Sequence, residues 1–441
     1  MTLPLGDRQP AKGRFDAIVV GGGPAGLSAA CTLADGGSRV CVIERGDWPG
    51  SKNMMGGLIF AQPTSKVVPE FWKRGPVERP VTRRELWITT GDAAFKGAYE
   101  STDFGVEPYN AFTVFRSRFD KWLAGEARAK GAVILTETLV EDLLWDGERV
   151  AGVRTGRSEG DLEADVVIIA EGANSFLTEK AGLCQGAESG SLALAVKEVL
   201  ALPKEKIEDR FSLEDGAGAA YEIIGEITDG IPGTGFIYTN KDTVSIGVGV
   251  ILKDMVNRAG AAYNLLERFK AQPQVRRLIA GASPREYTAH LIPEGGYRGM
   301  PRLYGDGVLV AGDAASMVNA VFTEGANLAL LSGRIAAQTV LRASEFGTFG
   351  CETLSYYGGL LEDSLIMKDL KQYKNVMPLL SSHLHFFGLY PEIASAAVKE
   401  FLTVDSLSKA DKHKLIMKLV RSQRPSRKMI KDLYEAWRAI S

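Results

Sequence analysis

Cysteine is scarce in this sequence. The 441 residues include four cysteines, at positions 31, 41, 184 and 351, and no two of them form a C-x-x-C pair. Cysteines so few and scattered exclude a disulfide framework and favour a reducing, cytosolic compartment. They also exclude an iron–sulfur cluster held by this chain alone, because such clusters need several thiolates brought together. If the chemistry requires a cluster, another chain must provide it.

Long apolar runs and an excess of charge of either sign are absent as well. No apolar run reaches the roughly 18 residues of a membrane span, and the N-terminal residues lack the apolar core of a signal peptide. We therefore expect any membrane contact to be peripheral. The 52 basic and 54 acidic residues leave a formal net charge of -2, which argues against nucleic acid as a partner.

The N-terminal region contains a complete βαβ unit with dinucleotide-binding glycines. An apolar run at 15–20 leads into G-x-G-x-x-G at 21–26, a helical pattern, and a second apolar run at 39–44. The three glycines permit a tight turn, close approach of a pyrophosphate, and helix–strand packing, in that order. The start of the helix favours anions. Glu44 ends the second run, where a carboxylate can accept hydrogen bonds from adenosine ribose hydroxyls.

A second motif, far along the chain, favours FAD over NAD. The apolar run at 307–311 delivers Gly312 and Asp313, and Glu324-Gly325-Ala326-Asn327 opens a helical pattern that continues to Ala337. The aspartate could hydrogen-bond a ribityl hydroxyl, and the helix would direct its N-terminal amides at the flavin ring or the pyrophosphate. A strand ending in Gly-Asp is common in ordinary α/β proteins, but paired with the glycine motif it predicts bound FAD.

Three smaller motifs support a dinucleotide site. Arg116 stands at a helix start, where a guanidinium could meet phosphate or adenine; an ordinary surface arginine is the alternative. The apolar run at 165–170 ends at Glu171-Gly172, where glycine lets the chain pass close to a ligand; a plain turn is the alternative. Lys52-Asn53 and Gly56-Gly57 could bring amides near the flavin's pyrimidine edge, or form only a flexible turn.

Four short runs interrupt this pattern, at 192–199, 219–226, 234–239 and 243–251. They are rich in β-branched and aromatic residues, and a turn is expected at 238–242. The runs predict an antiparallel sheet inserted into the nucleotide-binding domain, where it would roof the cofactor.

Several strings carry a resemblance to a known family. The most specific are IERG (43–46), GSKNMMGG (50–57), FRSRFDKWL (115–123), AVKE (195–198), IEDRF (207–211), GFIYTN (235–240) and EYTAH (286–290). Through them the chain resembles the FixC-type electron transfer flavoprotein:quinone oxidoreductases, a branch of the group that includes geranylgeranyl reductases and flavin hydroxylases. The resemblance covers most of the chain and is much stronger to FixC than to a hydroxylase.

The resemblance implies a working unit inside a complex. FixA/FixB-like electron transfer flavoprotein subunits would oxidise NADH by bifurcation, sending one electron toward ferredoxin or flavodoxin and the other to the FAD of this chain. With a ferredoxin-like FixX subunit that carries iron–sulfur clusters, electrons would then reach a quinone, menaquinone or ubiquinone. The protein would be cytoplasmic and peripherally associated with the inner face of the cell membrane. Flavin-centred electron transfer requires no acid–base catalyst, and we assign none.

Two positions depart from the family pattern. Ser316 stands where glycine is usual, and Glu324 stands where arginine is usual. A carboxylate near the ring would disfavour a reduced anionic flavin, and the string 324–326 is closer to geranylgeranyl reductases. Reduction of isoprenoid double bonds is therefore the alternative function. A redox-silent, FAD-holding assembly scaffold is a further alternative from a different class.

The C-terminal region combines an apolar stretch with two histidines. Residues 377–390 are unusually apolar and are interrupted by glycine and proline. They predict a membrane-facing or quinone-access surface, with a buried core segment as the alternative. His383 and His385 are interpreted as ordinary histidines rather than a metal pair, because no acid or cysteine adjoins them in the sequence.

The tail at 409–441 is basic. It contains ten lysines or arginines and three acidic residues, and Leu415, Ile416, Leu419 and Val420 fall on one helical face. A basic amphipathic helix of this kind could lie on anionic lipid or dock an acidic partner such as a ferredoxin-like subunit. A solvated charged helix is the alternative.

The expected architecture is α/β: a discontinuous, glutathione reductase-like Rossmann FAD-binding domain, an inserted antiparallel β-sheet domain, and a helical C-terminal region. The expected limits are 11–85, 108–185 and 291–345 for the FAD-binding domain, 86–107 and 186–290 for the substrate or quinone domain, and 346–441 for the membrane- or partner-facing region. The residues expected to contact FAD are Gly21, Gly23, Pro24, Ala25, Gly26, Glu44, Arg45, Lys52, Asn53, Met54, Gly56, Gly57, Arg116, Val140, Ala170, Glu171, Gly172, Gly312, Asp313, Gly325, Ala326 and Asn327.

Overall fold

A computed structural model describes residues 14–52, 57–91, 93–158, 160–185, 191–257 and 261–440. The strands are β1 (Arg14–Val20), β2 (Val40–Ile43), β3 (Leu58–Phe60), β4 (Val77–Thr90), β5 (Ala93–Glu100), β6 (Ala111–Val114), β7 (Val133–Leu135), β8 (Val140–Asp146), β9 (Arg149–Thr155), β10 (Asp161–Ile169), β11 (Leu192–Ala201), β12 (Gly218–Gly225), β13 (Gly233–Thr239), β14 (Thr243–Ile251), β15 (Ser283–Pro293), β16 (Tyr304–Gly305) and β17 (Val308–Val310). The helices are α1 (Pro24–Asp35), α2 (Ala61–Ser65), α3 (Arg116–Ala129), α4 (Phe176–Lys180), α5 (Lys204–Phe211), α6 (Leu252–Asn257), α7 (Ala262–Ala271), α8 (Pro273–Ile279), α9 (Ala326–Phe346), α10 (Cys351–Leu354), α11 (Tyr356–Asp363), α12 (Leu365–Gln372), α13 (Val376–Ser382), α14 (Leu389–Leu402), α15 (Lys409–Gln423) and α16 (Ser426–Ile440).

The nucleotide-binding half is built on a largely parallel sheet. Its strand order is β16-β17-β10-β1-β2-β7, with β1 parallel to both β10 and β2, and β17 parallel to β10. The β8–β9 hairpin adds to the edge of β10. The central strands are continuous apolar runs, as buried parallel strands require. The predicted Rossmann-type fold is confirmed. The N-terminal strand β1 pairs with β10, more than 140 residues away in the sequence.

A second sheet covers the other half, in the order β15-β11-β14-β13-β12-β4-β6-β3, with β5 also paired to β4. The four strands predicted between 192 and 251 are all present. One pair, β12 with β4, is parallel, so the sheet is mixed rather than wholly antiparallel. It also takes in residues 58–60 and 111–114, which the predicted limits placed in the FAD-binding segments. Strand β4 is long enough to join the two parts of the sheet. Its first residues, up to Pro80, pair with β6, and the residues after Pro80 pair with β12 and β5.

Helices α1 and α9 pack closely against each other. A Cβ atom on Gly333 would lie 1.9 Å from the carbonyl oxygen of Ala25, so the backbones meet where a larger residue could not fit. The Ser28 hydroxyl donates to the carbonyl oxygen of Leu330 at 2.6 Å. Helix α9 continues nine residues beyond the predicted end at Ala337, because buried apolar residues recur at helical spacing through that stretch.

The C-terminal region is helical, as predicted, but the tail forms two helices rather than one. Pro425 separates α15 from α16, since proline cannot continue a helix interior. Helix α16 leaves Ile430, Leu433, Tyr434 and Trp437 exposed on one side. None of the helices in the described ranges combines the length and apolar character that a membrane crossing needs.

The α1–α9 contact gives a stability test. We expect Gly333→Ala to lower the free energy of unfolding by about 1–3 kcal/mol, because the added methyl group forces the two helices apart. Gly125→Ala in α3 is the matched control. A Cβ atom there meets nothing within 4 Å, so this change should stabilise the protein by about 0.5–1 kcal/mol. Denaturant unfolding of both variants measures the difference, and equal stability of the two would contradict the proposed packing constraint.

Candidate functional site

The turn between β1 and α1 forms a cradle of backbone amides. A Cβ atom on Gly21 would lie 2.2 Å from the carbonyl oxygen of Ala170, and one on Gly26 would lie 2.0 Å from the carbonyl oxygen of Gly21. These two glycines are therefore required by the fold. A Cβ atom on Gly23 would meet nothing within 4 Å, so the protein itself gives no steric reason for that glycine. Its need is explained by a ligand that approaches the backbone there.

Glu44 fixes this turn from the end of β2. One carboxylate oxygen accepts a hydrogen bond from the amide of Gly22 at 2.9 Å, and the other accepts from the amide of Gly46 at 2.6 Å. Each carboxylate oxygen can accept a further bond, so ribose binding and turn support are compatible. Pro24 occupies the first position of α1, where its missing N–H costs no helical hydrogen bond.

Arg116 begins α3 and is buried, so the surface-arginine alternative is wrong. Its guanidinium donates to both carboxylate oxygens of Asp120, at 2.9 and 2.8 Å. Burial alone would lower the pKa of Arg116, but Asp120 and the negative charge of Asp313 keep it above its usual value. The side chain is therefore a fixed cation near the end of β17, which suits an anionic cofactor.

Two carboxyl groups, those of Asp313 and Glu294, lie close enough to interact electrostatically, and Asp313 also interacts with Arg116. Asp313 lies in the short turn after β17, and burial raises its pKa against the opposing effect of Arg116. Glu294 directly follows β15, and burial together with the charge of Asp313 raises its pKa to about 8. Within the described residues, neither carboxyl group has a hydrogen-bond partner. Asp313 is thus available for the ribityl hydroxyl expected from the sequence.

Both carboxyl groups line a cavity of about 670 Å³. Its walls also include Ser316 in the FAD-binding half and Met377 and Pro378 in the C-terminal helices. The apolar stretch singled out in the sequence therefore contributes residues to the cavity wall. The cavity joins the end of β17 to the C-terminal region.

The inserted sheet contributes two residues to which the sequence assigned no role. Lys197 on β11 is buried, and burial, with Arg116 nearby, lowers its pKa to about 8 against the opposing effect of Glu286. His290 on β15 is half-buried, and burial, with Arg116 and Arg45, lowers its pKa to about 4. Both belong to strings that carry the family resemblance. The signal available in the sequence was a lysine inside the apolar run at 192–201, because lysine is rarely fully buried.

Residues 170–172 follow strand β10 and lead into helix α4. Gly172 has a φ of 79°, which favours glycine. The Glu171 carboxylate accepts hydrogen bonds from the amides of Leu177 and Thr178, at 2.9 Å each. Its side chain therefore caps α4, and its contact with a cofactor stays a prediction. Val140 is half-buried at the start of β8, and its contact with FAD stays a prediction.

The second FAD helix begins at Ala326, two residues later than predicted. Glu324 instead pairs with Asn319 through two backbone hydrogen bonds, and its carboxylate accepts from the Asn327 side-chain amide at 2.9 Å. The Asn327 side-chain oxygen is buried and has no partner within the described residues. Ser316 has a φ of 55°, a conformation that favours the glycine usual in the family.

The remaining residues expected to contact FAD lie between β2 and β3. Arg45 and Lys52 are exposed, and Gly57 packs on the ring of Tyr238, which a Cβ atom would approach to 2.6 Å. Asn53, Met54 and Gly56 lie outside the described residues.

The arrangement fits FAD. The open face of Gly23, two helix starts and the cations around Arg116 suit phosphates, while Asp313 and the unpartnered Asn327 oxygen offer acceptors for ribityl or ring donors. FAD supplies electron transfer when bound. The chain's own residues bind it, orient it and set the charge around it.

The histidine pair has acidic neighbours after all. No acid adjoins the pair in the sequence, but α16 brings Asp432 to 3.2 Å from His385 and Glu435 to 3.0 Å from His383. Arg424 also pairs with both oxygens of Asp432. The guanidinium already balances that carboxylate, and the Tyr390 hydroxyl of α14 donates to Asp432 at 2.5 Å, so Asp432 joins α16 to a preceding helix.

Comparisons with known proteins agree with this geometry. A family model for an FAD binding domain matches residues 14–212, and a model for the ETF-QO/FixC family C-terminal domain matches residues 376–441. The chain is 43% identical to protein FixC of Bradyrhizobium diazoefficiens over 431 residues, covering 96% of this chain and 99% of that protein. It is 38% identical to a probable electron transfer flavoprotein-quinone oxidoreductase of Escherichia coli, over 92% of this chain and 94% of that protein.

Solved structures share the fold. A geranylgeranyl bacteriochlorophyll reductase-like protein of Thermoplasma acidophilum superposes with a TM-score of 0.72 at 18% identity, covering 96% of this chain and 99% of that one. The flavin-dependent brominase Bmp2 gives a TM-score of 0.63 at 15% identity, covering 93% and 100%. At these identities the likeness concerns the fold alone.

The open face of Gly23 gives a binding test. We expect Gly23→Ala to leave the unfolding of the FAD-free protein nearly unchanged but to weaken FAD binding about 10-fold or more, because the methyl group holds the pyrophosphate away from the amides. Gly359→Ala in α11, where a Cβ atom also meets nothing within 4 Å, is the control and should bind FAD normally. Titration calorimetry measures both affinities. Unaltered FAD affinity in Gly23→Ala would contradict the placement of the pyrophosphate.

Proposed function

The chain belongs to the ETF-QO/FixC family of flavoproteins, and from this premise we propose that it passes electrons from a reduced electron transfer flavoprotein, through FAD, to a membrane quinone. Membership makes it an FAD-dependent oxidoreductase. The observation that carries the quinone assignment is the cavity between Asp313 and the C-terminal helices. It gives a small molecule a way to the cofactor from the region matched by the family's C-terminal model.

The cavity has properties that suit a quinone. A volume of about 670 Å³ is within the range of small-molecule sites. Met377 and Pro378 provide apolar wall, and the exposed Arg298 and Lys374 lie on the same lining. An amphipathic molecule with a polar head and an apolar tail fits such a lining, its head toward Asp313 and its tail toward α13.

The cysteines support a partner that carries iron–sulfur clusters. Cys31 on α1 and Cys41 on β2 are buried in the core of the nucleotide-binding half, where neither reaches a surface at which a cluster could bind. Cys184 and Cys351 remain, too few for a cluster. We therefore propose a ferredoxin-like FixX subunit as a partner, with FixA/FixB-like bifurcating subunits as the donor.

Helix α16 has the character of a membrane-surface helix. Ile430 and Leu433 are 68% and 72% exposed, beside exposed Tyr434 and Trp437. Arg427, Lys428 and Lys431 are exposed on the same helix. Aromatic and aliphatic side chains flanked by cations match an interfacial helix that binds anionic lipid. We propose that this helix holds the protein peripherally on the cytoplasmic face of the membrane.

Reconstitution tests the electron path. The protein is purified with its native partners, and its flavin spectrum is followed anaerobically after addition of NADH and then a menaquinone analogue. We expect NADH to reduce the flavin only when electron transfer flavoprotein subunits are present, and the quinone to reoxidise it. If the isolated chain instead accepts hydride and reduces an isoprenoid alkene, the geranylgeranyl reductase alternative replaces the proposal. A flavin that quinone never reoxidises favours the scaffold alternative.

Membrane attachment is tested on α16. We expect the double change Ile430→Ser and Leu433→Ser to weaken binding to anionic phospholipid vesicles about 10-fold or more, since two apolar side chains no longer leave water. FAD content should stay normal because both side chains are exposed. Val256→Ser, at a position 64% exposed on α6, is the control. Vesicle co-sedimentation measures binding, and unchanged sedimentation of the double variant would refute the membrane role.

A further inference from the structure

Glu294 is a carboxyl group on the cavity wall that the proposed electron path does not yet use. Its backbone is fixed, because its amide donates to the carbonyl oxygen of Ser191 at 2.7 Å. The side chain lines the cavity, and no described residue forms a hydrogen bond with the carboxyl group. A side chain so placed can reach a molecule in the cavity without first breaking a bond within the protein.

The surroundings of Glu294 favour its protonated form at neutral pH. Burial is the main cause, and the nearby charge of Asp313 is the second; together they raise the pKa of Glu294 to about 8. The other charged or titratable side chains on the cavity lining are Cys184, Tyr297, Arg298, Arg302, Tyr373 and Lys374. Glu294 therefore holds a proton in a place where most glutamates would be charged.

Quinone reduction creates a demand for protons in this cavity. Conversion of a quinone to a quinol adds two electrons and two protons, and each carbonyl oxygen becomes a hydroxyl. Electrons arriving through FAD leave negative charge on the quinone oxygens, which is unfavourable in a partly buried site unless protons follow. A protonated carboxyl group on the wall meets that need.

We propose that Glu294 is the proton donor to the quinone, an inference that rests on the proposed function. The O–H bond of the carboxyl group breaks as an O–H bond forms at a quinone carbonyl oxygen, which leaves a Glu294 carboxylate. Water entering at the exposed Arg298 and Lys374 returns a proton to it. The second carbonyl oxygen, on the opposite side of the quinone ring, takes its proton from water, and the hydroxide that water leaves passes to the solvent, so two protons match the two electrons from reduced electron transfer flavoprotein.

The test compares Glu294→Gln with the FAD-loaded wild type. The flavin is reduced anaerobically and then mixed with a menaquinone analogue, between about pH 6 and about pH 9. Wild-type reoxidation should be fast below pH 8 and should slow as the pH rises through that value, because the donor is protonated only below its pKa. Glu294→Gln should be about 100-fold slower at neutral pH and show no break near pH 8. Glu294→Asp should recover part of the rate.

A second measurement follows the carboxyl group without turnover. Infrared difference spectra of the oxidised, FAD-loaded protein should show a protonated carboxyl band that disappears as the pH rises through about 8, and that is absent from Glu294→Gln. Glu345→Gln, at an exposed position on α9, is the control and should keep both the band and the rate.

The outcomes separate the two proposals. Failure of quinone to reoxidise the wild-type flavin at any pH overturns the proposed function and this inference with it. Normal wild-type reoxidation with an equally fast, equally pH-dependent Glu294→Gln overturns the proton-donor role alone. Loss of the rate in Glu294→Gln without loss of the infrared band also overturns it, because the titrating group would then be another residue.

Discussion

The close contact between the start of α1 and the middle of α9 is the constraint on which the site depends. Gly333 and Gly312 both meet Ala25, so three backbone segments that are far apart in sequence converge at one point. Helix α9 begins seven residues before Gly333, which is about 10 Å along the helix axis. The starts of the two helices are thereby offset, and an extended dinucleotide can lie with its phosphates at one and its flavin end toward the other.

The inserted sheet places a buried charge, that of Lys197, near the site, and this burial lowers the stability of the folded protein. Lys197 is 2% exposed, and the lowering of its pKa to about 8 corresponds to roughly 3 kcal/mol against folding with the lysine charged. The cost is present in full below about pH 8 and disappears as the pH rises toward the pKa of the unfolded chain. A bound anion near Lys197 and Arg116 would offset it. The charge of these side chains is therefore compatible with an anionic cofactor.

Local sequence patterns predict the helices, strands and turns, whereas the way they assemble depends on pairing between distant segments. The glycine turn, the Asp313 strand end and the four inserted strands follow from periodicity and turn chemistry, which neighbouring residues determine. Three features depend instead on contacts between segments that are far apart in sequence. They are the parallel pairing of β12 with β4, the acids that α16 brings to the histidines, and the proximity of Glu294 to Asp313. The apolar run before Glu171 predicts that this residue lies at a strand end. Its hydrogen bonds to the first turn of α4 could not be predicted, because they depend on the path of the chain after the strand.

The departure at Glu324 acquires a structural explanation. Its carboxylate accepts a hydrogen bond from Asn327 in the first turn of α9, where the positive end of the helix dipole stabilises an acid. Lys197 on the sheet and Arg116 on α3 add basic side chains, whereas His290, with its pKa lowered to about 4, is neutral at neutral pH. A glutamate in place of the arginine expected from the resemblance makes the start of α9 more negative, which disfavours a reduced anionic flavin. Asp313 and Glu294 share the cavity wall, and the charge of Asp313 opposes the ionisation of Glu294.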